Sequence, residues 1–326
     1  MNDESINGDP RYINYQFSPF TVPVLIALLP LIYLIPTIAI VVRIITVYIQ
    51  NTFGNKKDDR INQHMFLVIV LHLVLAIIYL VTDYTTIRIP ATGLITSWCA
   101  STQPNHILKV PFMMSVYFNY TAMLFPCLLS ALRLIPIYYP LRWEEIVARI
   151  VRICTPLIFV YPLLFCFPFF PAIGDCRQLL GDYPFGGIYF YYRGALFGVM
   201  KNAPMLIITS IFWLVTCTIT NIILYKKLKK MWSSKQESVK LLQRAENSLT
   251  MITFSMFPSF IANFVFIFVS LISPPLTAYF IALRPYGSDC EFVLVAWVFY
   301  VTHPIFKKNR VTIVEAQRTG TSLSTF

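Results

Sequence analysis

Long stretches without a single charged residue dominate this sequence, and they limit what the chain can fold into. One of them runs from Asn247 to Leu283. Only 13% of the residues are charged and 57% are hydrophobic, whereas soluble domains carry about 25% charged residues. A soluble core of this size would need a charged shell that the chain lacks, so lipid must surround the apolar runs. The sequence therefore predicts an integral membrane protein.

The uncharged runs predict seven helices that each cross the membrane. The run from Asn247 to Leu283 is too long for one crossing, and Pro274 and Pro275 are expected to divide it. The last span is the least apolar, because Asp289 and Glu291 must lie in its outermost turns. The predicted helices cover residues 22–49, 65–87, 106–138, 151–172, 198–225, 247–273 and 284–306. We therefore expect an all-α membrane protein, folded as a seven-transmembrane helix bundle.

The basic residues predict how this bundle is oriented. Short cytoplasmic loops retain an excess of Lys and Arg, and here alternate loops are rich and poor in these residues. This pattern places the N-terminus outside the cell and residues 307–326 inside as a short cytoplasmic tail of a single domain, 1–326. The net charge of +11 is spread over many loops and not gathered in one patch, so no nucleic-acid partner is expected.

Three of the seven cysteines are expected on the oxidising outer side of the membrane, namely Cys99, Cys176 and Cys290. Cys99 precedes the third helix, and Cys176 lies in the second outer loop. A disulfide between them would tie that loop across the mouth of the bundle. Free thiols are the alternative, and the sequence leaves open whether Cys290 pairs.

Motifs of catalysis and of metal binding are missing from the sequence. It contains no His-Glu-x-x-His, Gly-x-Ser-x-Gly or phosphate-binding glycine loop, and its four histidines are scattered. We expect no enzymatic activity, no cofactor and no metal. His72 lies deep in a predicted helix and is interpreted as a neutral imidazole that is hydrogen-bonded to a neighbouring helix. Helix interiors nearly free of charge disfavour an ion-coupled transporter, although a multi-pass transporter or channel remains the alternative function.

The inner end of the third helix carries a motif that resembles rhodopsin-like receptors. There an Arg is followed seven residues later by Pro and Leu, and Arg133, Pro140 and Leu141 keep that spacing. The resemblance implies that Arg133 restrains the inactive state and then meets a G protein, which Pro140 and Leu141 help to dock. Leu132 and Leu134 replace the acid and the Tyr that usually flank the Arg. A snorkelling Arg at a helix end is the alternative reading.

Longer segments of the chain are similar to the nematode serpentine chemoreceptors of the Srg superfamily, most of all to class U. These segments are Gly8–Tyr15, Ala131–Leu141 and 284–306. The resemblance implies a rhodopsin-like architecture in the plasma membrane, and a chemosensory receptor that binds an unknown small molecule and signals through a heterotrimeric G protein. The proline marks of rhodopsin-like receptors on the sixth and seventh helices are partly kept, so Pro258, His303 and Pro304 are predicted to form a conformational switch.

Two further sets of residues complete the predicted site. The third inner loop is basic and is expected to contact a G protein or anionic membrane lipids through Lys226, Lys227, Lys229 and Lys230. The predicted pocket is apolar with few polar anchors, suits a small organic ligand, and consists of Met113, Tyr117, Asn119, Tyr120, Asn263, Phe264 and Glu291. The aromatic run 189–192 in the second outer loop belongs either to this pocket or to an aromatic belt at the membrane surface.

Overall fold

Seven long helices in chain order form the protein. The computed structural model describes residues 5–54, 62–179, 183–196, 202–231, 249–273 and 276–306. The helices are α1 Val22–Phe53, α2 Gln63–Ala91, α3 Lys109–Tyr138, α4 Trp143–Phe169, α5 Asn202–Met231, α6 249–272 and α7 Pro285–Thr302. In this part of the chain six helices are long and apolar enough to cross a membrane. The seventh, α7, is less apolar because it carries Asp289 and Glu291, and the predicted helix bundle is confirmed.

The boundaries of α4, α5 and α2 differ from the prediction. Helix α5 ends at Met231 and not at residue 225. Helix α4 begins at Trp143 and not at residue 151, because Glu144 and Glu145 in its first turn suit the positive end of the helix dipole. Arg149 also pairs with Glu145 across one turn at 2.9 Å. Helix α2 continues to Ala91 through a π-helical turn, Tyr84–Arg88. The predicted start of α5 at residue 198 and the tail 307–326 lie outside the described residues.

Prolines interrupt several of these helices. A proline lacks the backbone N–H and clashes with the carbonyl one turn earlier, so a regular helix breaks or bends beside it. Helix α1 is interrupted at Pro30, α4 at Pro162, and α6 shows a turn at Met256 just before Pro258. In a bundle these breaks are tolerated because neighbouring helices and side chains satisfy the freed carbonyls.

Helix α3 lies at the centre of the bundle and α4 at its edge. Of the most apolar stretch of each helix, 67% is buried for α3 but only 22% for α4. The remaining apolar side chains of α4, such as Leu157 and Leu164, point outward as lipid requires. The central core includes Val41, Phe66, Phe125, Leu129 and Phe299.

Helices α6 and α7 pack closely against each other at Gly287. A Cβ atom placed there would lie 2.1 Å from Cβ of Ala262 and 3.0 Å from the carbonyl oxygen of Pro258. No side chain fits that space, so glycine is required for the two helices to pack at this distance. The predicted switch residue Pro258 is thus held directly against α7.

A β-hairpin that the sequence did not predict covers the outer end of the bundle. Its strands, β1 Ile173–Gln178 and β2 Ile188–Arg193, pair antiparallel with Cys176 opposite Phe190. Cys99 and Cys176 form a disulfide, with their Cα atoms 6.2 Å apart, so β1 is tied to the short helix that precedes α3. The hairpin therefore closes over the mouth of the bundle.

The N-terminal segment packs on this hairpin. The backbone N–H of Ile6 donates to the carbonyl of Cys176 at 3.1 Å, and the ring of Tyr12 stacks on Phe185 at 4.7 Å between centroids. Gly186 in the hairpin turn has φ of +90°, and a Cβ there would strike the ring of Tyr15. Residues that precede α1 thus form a second layer over the outer loops.

Candidate functional site

The π-helical turn at the outer end of α2 brings a cation into the bundle. This turn places Arg88 five residues after Asp83, and its Nε donates to Asp83 Oδ2 at 2.7 Å. The other two nitrogens of Arg88 donate to the two carboxylate oxygens of Asp289 on α7, at 2.9 and 2.7 Å. The hydroxyl of Tyr33 on α1 also donates to Asp289 at 2.9 Å. Three helices therefore meet at one buried group of ions.

The sequence did not predict that these three ions are buried together. Arg88 was expected in an outer loop, but only 4% of its surface is exposed, and both acids are buried. The rings of Tyr84 and Tyr286 lie 4.6 and 5.6 Å from its guanidinium carbon and add cation–π attraction. Arg88 lies one residue beyond the predicted end of the second helix, so the sequence did not predict that this charge is buried within the bundle. A single intramembrane charge is costly, and pairing with opposite charges offsets part of that cost.

A narrow cavity, which we name the polar cavity after the ionisable groups in its wall, lies beside the ion group, between α2, α3, α6 and α7. Its wall includes Asp83, Arg88 and Asp289 on one side. Elsewhere the wall is formed by His72, Tyr79, Asn119, Ser259, Glu291 and Phe292. The cavity leaves about 20 Å³ for the centres of water molecules, which is room for about one water or a group of similar size. It is the place where ionisable groups from several helices converge.

Several polar atoms in this wall have no hydrogen-bond partner among the described residues. They are Oδ1 of Asp83 and both ring nitrogens of His72. Nε2 of His72 lies 3.4 Å from Oε1 of Glu291, which is a close approach without hydrogen-bond geometry. The predicted hydrogen bond from His72 to a neighbouring helix is therefore not found. Buried polar atoms without partners are rare in proteins, so this wall is suited to receive one.

A second cavity is larger but apolar. It lies among α3, α4 and α5, leaves about 280 Å³ for the centres of water molecules, and includes Leu128, Leu157 and Trp213 in its wall. Leu157 is itself about half exposed on the outside of the bundle, so this cavity faces the lipid side. None of the predicted pocket residues is part of its wall.

The residues predicted to form the ligand pocket are divided by the structure. Asn119 and Glu291 line the polar cavity. Met113, Tyr117 and Tyr120 belong to an aromatic cluster closer to the hairpin, where Tyr120 stacks on Phe165 at 4.2 Å. These three are fixed by packing and do not line either cavity.

The two predicted pocket residues of α6 differ from each other. Asn263 is buried, and its Nδ2 atom lacks a partner in the described part of the chain. Phe264 is 49% exposed and stacks on Phe268 along the same outer face of the helix. Phe264 therefore lies on the outer face of α6, and its place in a ligand pocket stays a prediction.

The aromatic run of the second outer loop points into the molecule. Tyr189, Phe190 and Tyr192 are buried, and the ring of Tyr192 lies 4.6 Å from that of Phe169. An aromatic belt at the membrane surface would leave these rings exposed, so that alternative does not hold for these three. Burial also raises the pKa of Tyr183, which follows β1, to about 12, and this tyrosine stays neutral at physiological pH.

Arg133 at the inner end of α3 is fully buried. Its Nη1 donates to the hydroxyl of Thr253 at 3.3 Å and its Nη2 to that of Thr250 at 2.5 Å. Both threonines lie on α6, and Thr253 in turn donates to the carbonyl of Leu249 at 2.9 Å. A snorkelling Arg would reach toward water, so that alternative is excluded by the burial.

The other predicted inner residues surround this contact. Leu141 is 97% exposed in the loop between α3 and α4, and Pro140 beside it is exposed as well. His303 is buried at the end of α7, where its Nδ1 accepts from the N–H of Ile305 at 3.3 Å. Lys226 is exposed on α5. The side chains of Lys227, Lys229, Lys230 and Pro304 lie outside the described residues.

The order of the helices, the covered outer mouth and the buried Arg of α3 are those of a seven-helix membrane receptor. A family model described as "Serpentine type 7TM GPCR chemoreceptor Sru" matches residues 6–309. Serpentine receptor class U-26 of Caenorhabditis elegans is 34% identical over 268 residues, which cover 82% of this chain and 91% of that protein. The chain belongs to the Sru family of serpentine chemoreceptors, as its resemblance to class U predicted. It is therefore a chemosensory receptor of the G-protein-coupled type, with several passes through the plasma membrane.

The sequence did not predict the ion group, nor that residues of α2 line the polar cavity. The second helix was predicted to end at residue 87, which left Arg88 in a loop, and the spacing of Asp83 and Arg88 does not bring them to one side of a regular helix. A usable signal existed all the same. Asp83, Arg88 and Asp289 are charges of opposite sign at the outer ends of predicted spans, and charges at that depth require partners.

Proposed function

We propose that this receptor binds a small molecule in the polar cavity of its outer half and passes the signal to a heterotrimeric G protein at the inner ends of α3 and α6. The observation that carries this proposal is the contact of buried Arg133 with Thr250 and Thr253. It joins the helix that bears the family's Arg to the helix that contains the predicted hinge at Pro258. Binding and signalling, and not catalysis, are the work of this chain.

The contact has the strength that a reversible restraint needs. A hydrogen bond to a charged group contributes roughly 1.5–3 kcal/mol. Moving a two-state equilibrium from 1:99 to 99:1 takes about 5.5 kcal/mol of differential binding. Two such bonds between Arg133 and α6 therefore hold the inner ends together firmly, yet ligand binding can release them. Leu132 replaces the acid that usually lies beside the Arg and restrains it. In this chain the hydroxyl groups of Thr250 and Thr253 on α6 provide that restraint.

The loop between α3 and α4 supports a docking role for this face. Tyr138, Tyr139 and Leu141 are each at least half exposed. Large apolar side chains grouped on an aqueous surface mark contacts with a partner. Once α6 moves away from α3, Arg133 becomes accessible beside this loop, and both can contact the same G protein. The basic residues from Lys226 onward add attraction for acidic groups of the partner or of the lipid surface.

The test compares native receptor with Arg133→Ala in cells that report activation of a co-expressed G protein. Chemical extracts that activate the native receptor are expected to fail with Arg133→Ala at equal surface expression. Arg149→Ala is the matched control, because Arg149 is exposed and pairs with Glu145 on α4; it should signal normally. Equal signalling by the Arg133→Ala receptor would contradict the proposed role of this residue.

A transporter or channel is the second candidate, and one observation favours it. The buried charges Asp83, Arg88 and Asp289 resemble the intramembrane ionisable groups that ion pathways contain. All three are engaged with one another, and such mutual pairing suits a structural role better than a pathway. Current or substrate flux through purified receptor in liposomes without any G protein would establish the transport reading and overturn the receptor proposal.

A further inference from the structure

We infer that the polar cavity takes the ammonium group of a small amine, bound by the carboxylates of Asp83 and Glu291. This inference rests on the proposed function and supplies the chemical class of its ligand. The cavity brings together residues of four helices, so a ligand there contacts both α2 and α7. It is also next to Ser259, one residue beyond the predicted hinge at Pro258.

The balance of charge around the cavity favours a cation. Three carboxylates, those of Asp83, Asp289 and Glu291, line it together with the single guanidinium of Arg88. Arg284 is the next cation, and it is directed to the hydroxyl of Tyr79 at 3.4 Å. Even with Arg284 included, the carboxylates outnumber the guanidinium groups. An uncompensated negative charge in a low-dielectric interior requires a proton or a bound cation.

The hydrogen bonds of the ion group leave one carboxylate only partly used. Asp289 receives two nitrogens of Arg88 and the hydroxyl of Tyr33, which satisfies both of its oxygens. Asp83 receives one bond from Arg88 at Oδ2, whereas its buried Oδ1 has no partner among the described residues. An acceptor left open inside a cavity calls for a donor, and an ammonium group carries up to three.

His72 points to the same ligand chemistry. Its ring is buried in the cavity wall, and neither nitrogen has a partner among the residues that the structure describes. The neutral imidazole always offers one lone pair, so it can accept a hydrogen bond from an ammonium N–H. Glu291 at 3.4 Å from Nε2 then supplies the opposite charge. An anionic ligand would face carboxylates here and be repelled.

The size of the cavity and the nature of its walls limit the amine. About 20 Å³ is open to the centres of water molecules, which admits a group of roughly the size of one water, such as –NH₃⁺. The cavity therefore takes the ammonium group alone, and the alkyl chain of an amine such as n-butylamine must extend beyond it. The rings of Tyr79 and Phe292 line the same space and can add cation–π attraction. No group of three or more His, Cys, Asp or Glu residues suited to a metal ion occurs in the described part of the chain. An organic cation therefore fits better than a metal ion.

Binding is tested first without any signalling readout. Purified full-length receptor in detergent is heated at pH 7 with n-butylamine, with 1-butanol or with neither, and the unfolding temperature is recorded. We expect n-butylamine to raise this temperature in a saturable way and 1-butanol, which has the same chain without the charge, to leave it unchanged. Equal stabilisation by the alcohol assigns the effect to the apolar cavity of α3–α5 and overturns the inference, as does the absence of any effect of the amine.

Two variants locate the binding site. Glu291→Gln keeps the shape of the side chain and removes the group that can ionise against a bound ammonium, so it should weaken stabilisation by n-butylamine about tenfold or more in concentration. Asp9→Asn is the matched control. The neighbouring Arg11 lowers the pKa of the Asp9 carboxyl, so this change also removes one negative charge, but from the outer surface and far from the cavity. If both variants lost the stabilisation by n-butylamine equally, the effect would be one of overall charge, and the assignment of the amine to the polar cavity would be contradicted.

Two further measurements separate this inference from its rivals. Replacing sodium by potassium at constant ionic strength should not change the unfolding temperature; a fall that n-butylamine reverses would assign the site to inorganic sodium instead. In cells, extracts that activate the native receptor and the Glu291→Gln receptor equally would overturn the amine site while the receptor function stands. Saturable amine binding without any G-protein activation would leave this site in place and remove the proposed function.

Discussion

At the outer end of the bundle two carboxylates hold the buried Arg88, whereas at the inner end two threonine hydroxyls hold the buried Arg133. Both guanidinium groups join helices that are distant in the sequence. Ion pairs in a low-dielectric interior are costly to separate, because each partner would remain as an unpaired buried charge. Hydroxyl groups carry no net charge and can be left behind more easily. We therefore expect the outer contact to persist and the contacts of Arg133 with these hydroxyl groups to open more easily.

The surroundings of the two contacts differ in the same direction. The outer end is covered by the hairpin and the N-terminal segment and is tied by the disulfide Cys99–Cys176. The inner end carries exposed apolar groups such as Leu141 and the turn that precedes Pro258. A ligand that binds between α2 and α7 can thus act against a fixed outer frame. Movement is then expected to appear where the helices are less firmly joined.

The largest effect is expected when the outer cation is removed. Arg88→Met leaves Asp83 and Asp289 buried without their shared partner, which is expected to destabilise the protein by about 3–5 kcal/mol. Unfolding temperature in detergent and surface expression should both fall sharply. The matched control is Arg11→Met, whose ion pair with Asp9 is largely exposed and should contribute little. Equal stability of the two variants would contradict the expectation that the buried ion pairs of Arg88 are costly to separate.

The covalent tie of the outer layer should come next. Cys176→Ser opens the link between the hairpin and the segment before α3, and losing a disulfide typically lowers stability by about 2–4 kcal/mol. The N-terminal segment bonds to the backbone of Cys176, so it should also become more sensitive to protease on intact cells. Cys290→Ser is the control, because Cys290 is exposed and is not part of this disulfide. An unchanged digestion pattern in Cys176→Ser would show that the outer layer does not depend on the tie.

The inner contact is expected to affect signalling more than stability. Thr250→Val together with Thr253→Val removes both hydroxyl acceptors of Arg133, and the loss of even about 1.4 kcal/mol shifts the balance between inactive and active states about tenfold. Basal G-protein activation without ligand should therefore rise at equal surface expression. Thr216→Val on α5 is the control. It makes the same chemical change at a hydroxyl that donates to the carbonyl of Phe212 in its own helix, and it should leave basal activity unchanged. Unaltered basal activity in the double variant would argue against a restraint at this place.

The sequence predicted the helix bundle because lipid leaves little freedom. Any stretch that crosses the membrane must be nearly free of charge, so the uncharged runs indicated the helices. The surroundings of the polar cavity were less predictable. Glu291 and Asn119, which were proposed for a ligand pocket, line this cavity, but Arg88 was not proposed because its place depends on a π turn. Phe264 was proposed for the same pocket and lies on the exposed face of α6, because composition does not tell which face of a helix points inward.

Three-dimensional packing also decided features that no short pattern carries. The hairpin forms between strands whose sequences, such as Ile188–Arg193, are equally compatible with a membrane-surface belt. The partners of Arg133 lie more than a hundred residues away on α6, where Thr250 and Thr253 have no motif to mark them. Glycine at position 287 has a clear steric role only once the position of Ala262 is known.

The last expected effect is at the contact of Gly287 on α7 with α6. Gly287→Ala places a Cβ atom 2.1 Å from Cβ of Ala262, and overpacking of this kind destabilises by about 1–3 kcal/mol. The helices must separate slightly at Pro258, so both the unfolding temperature and basal signalling should change. The double variant Gly287→Ala with Ala262→Gly removes the clashing methyl group and should restore much of both. If the second change restores neither, the close packing of α6 on α7 is not what connects the outer cavity to the inner contact.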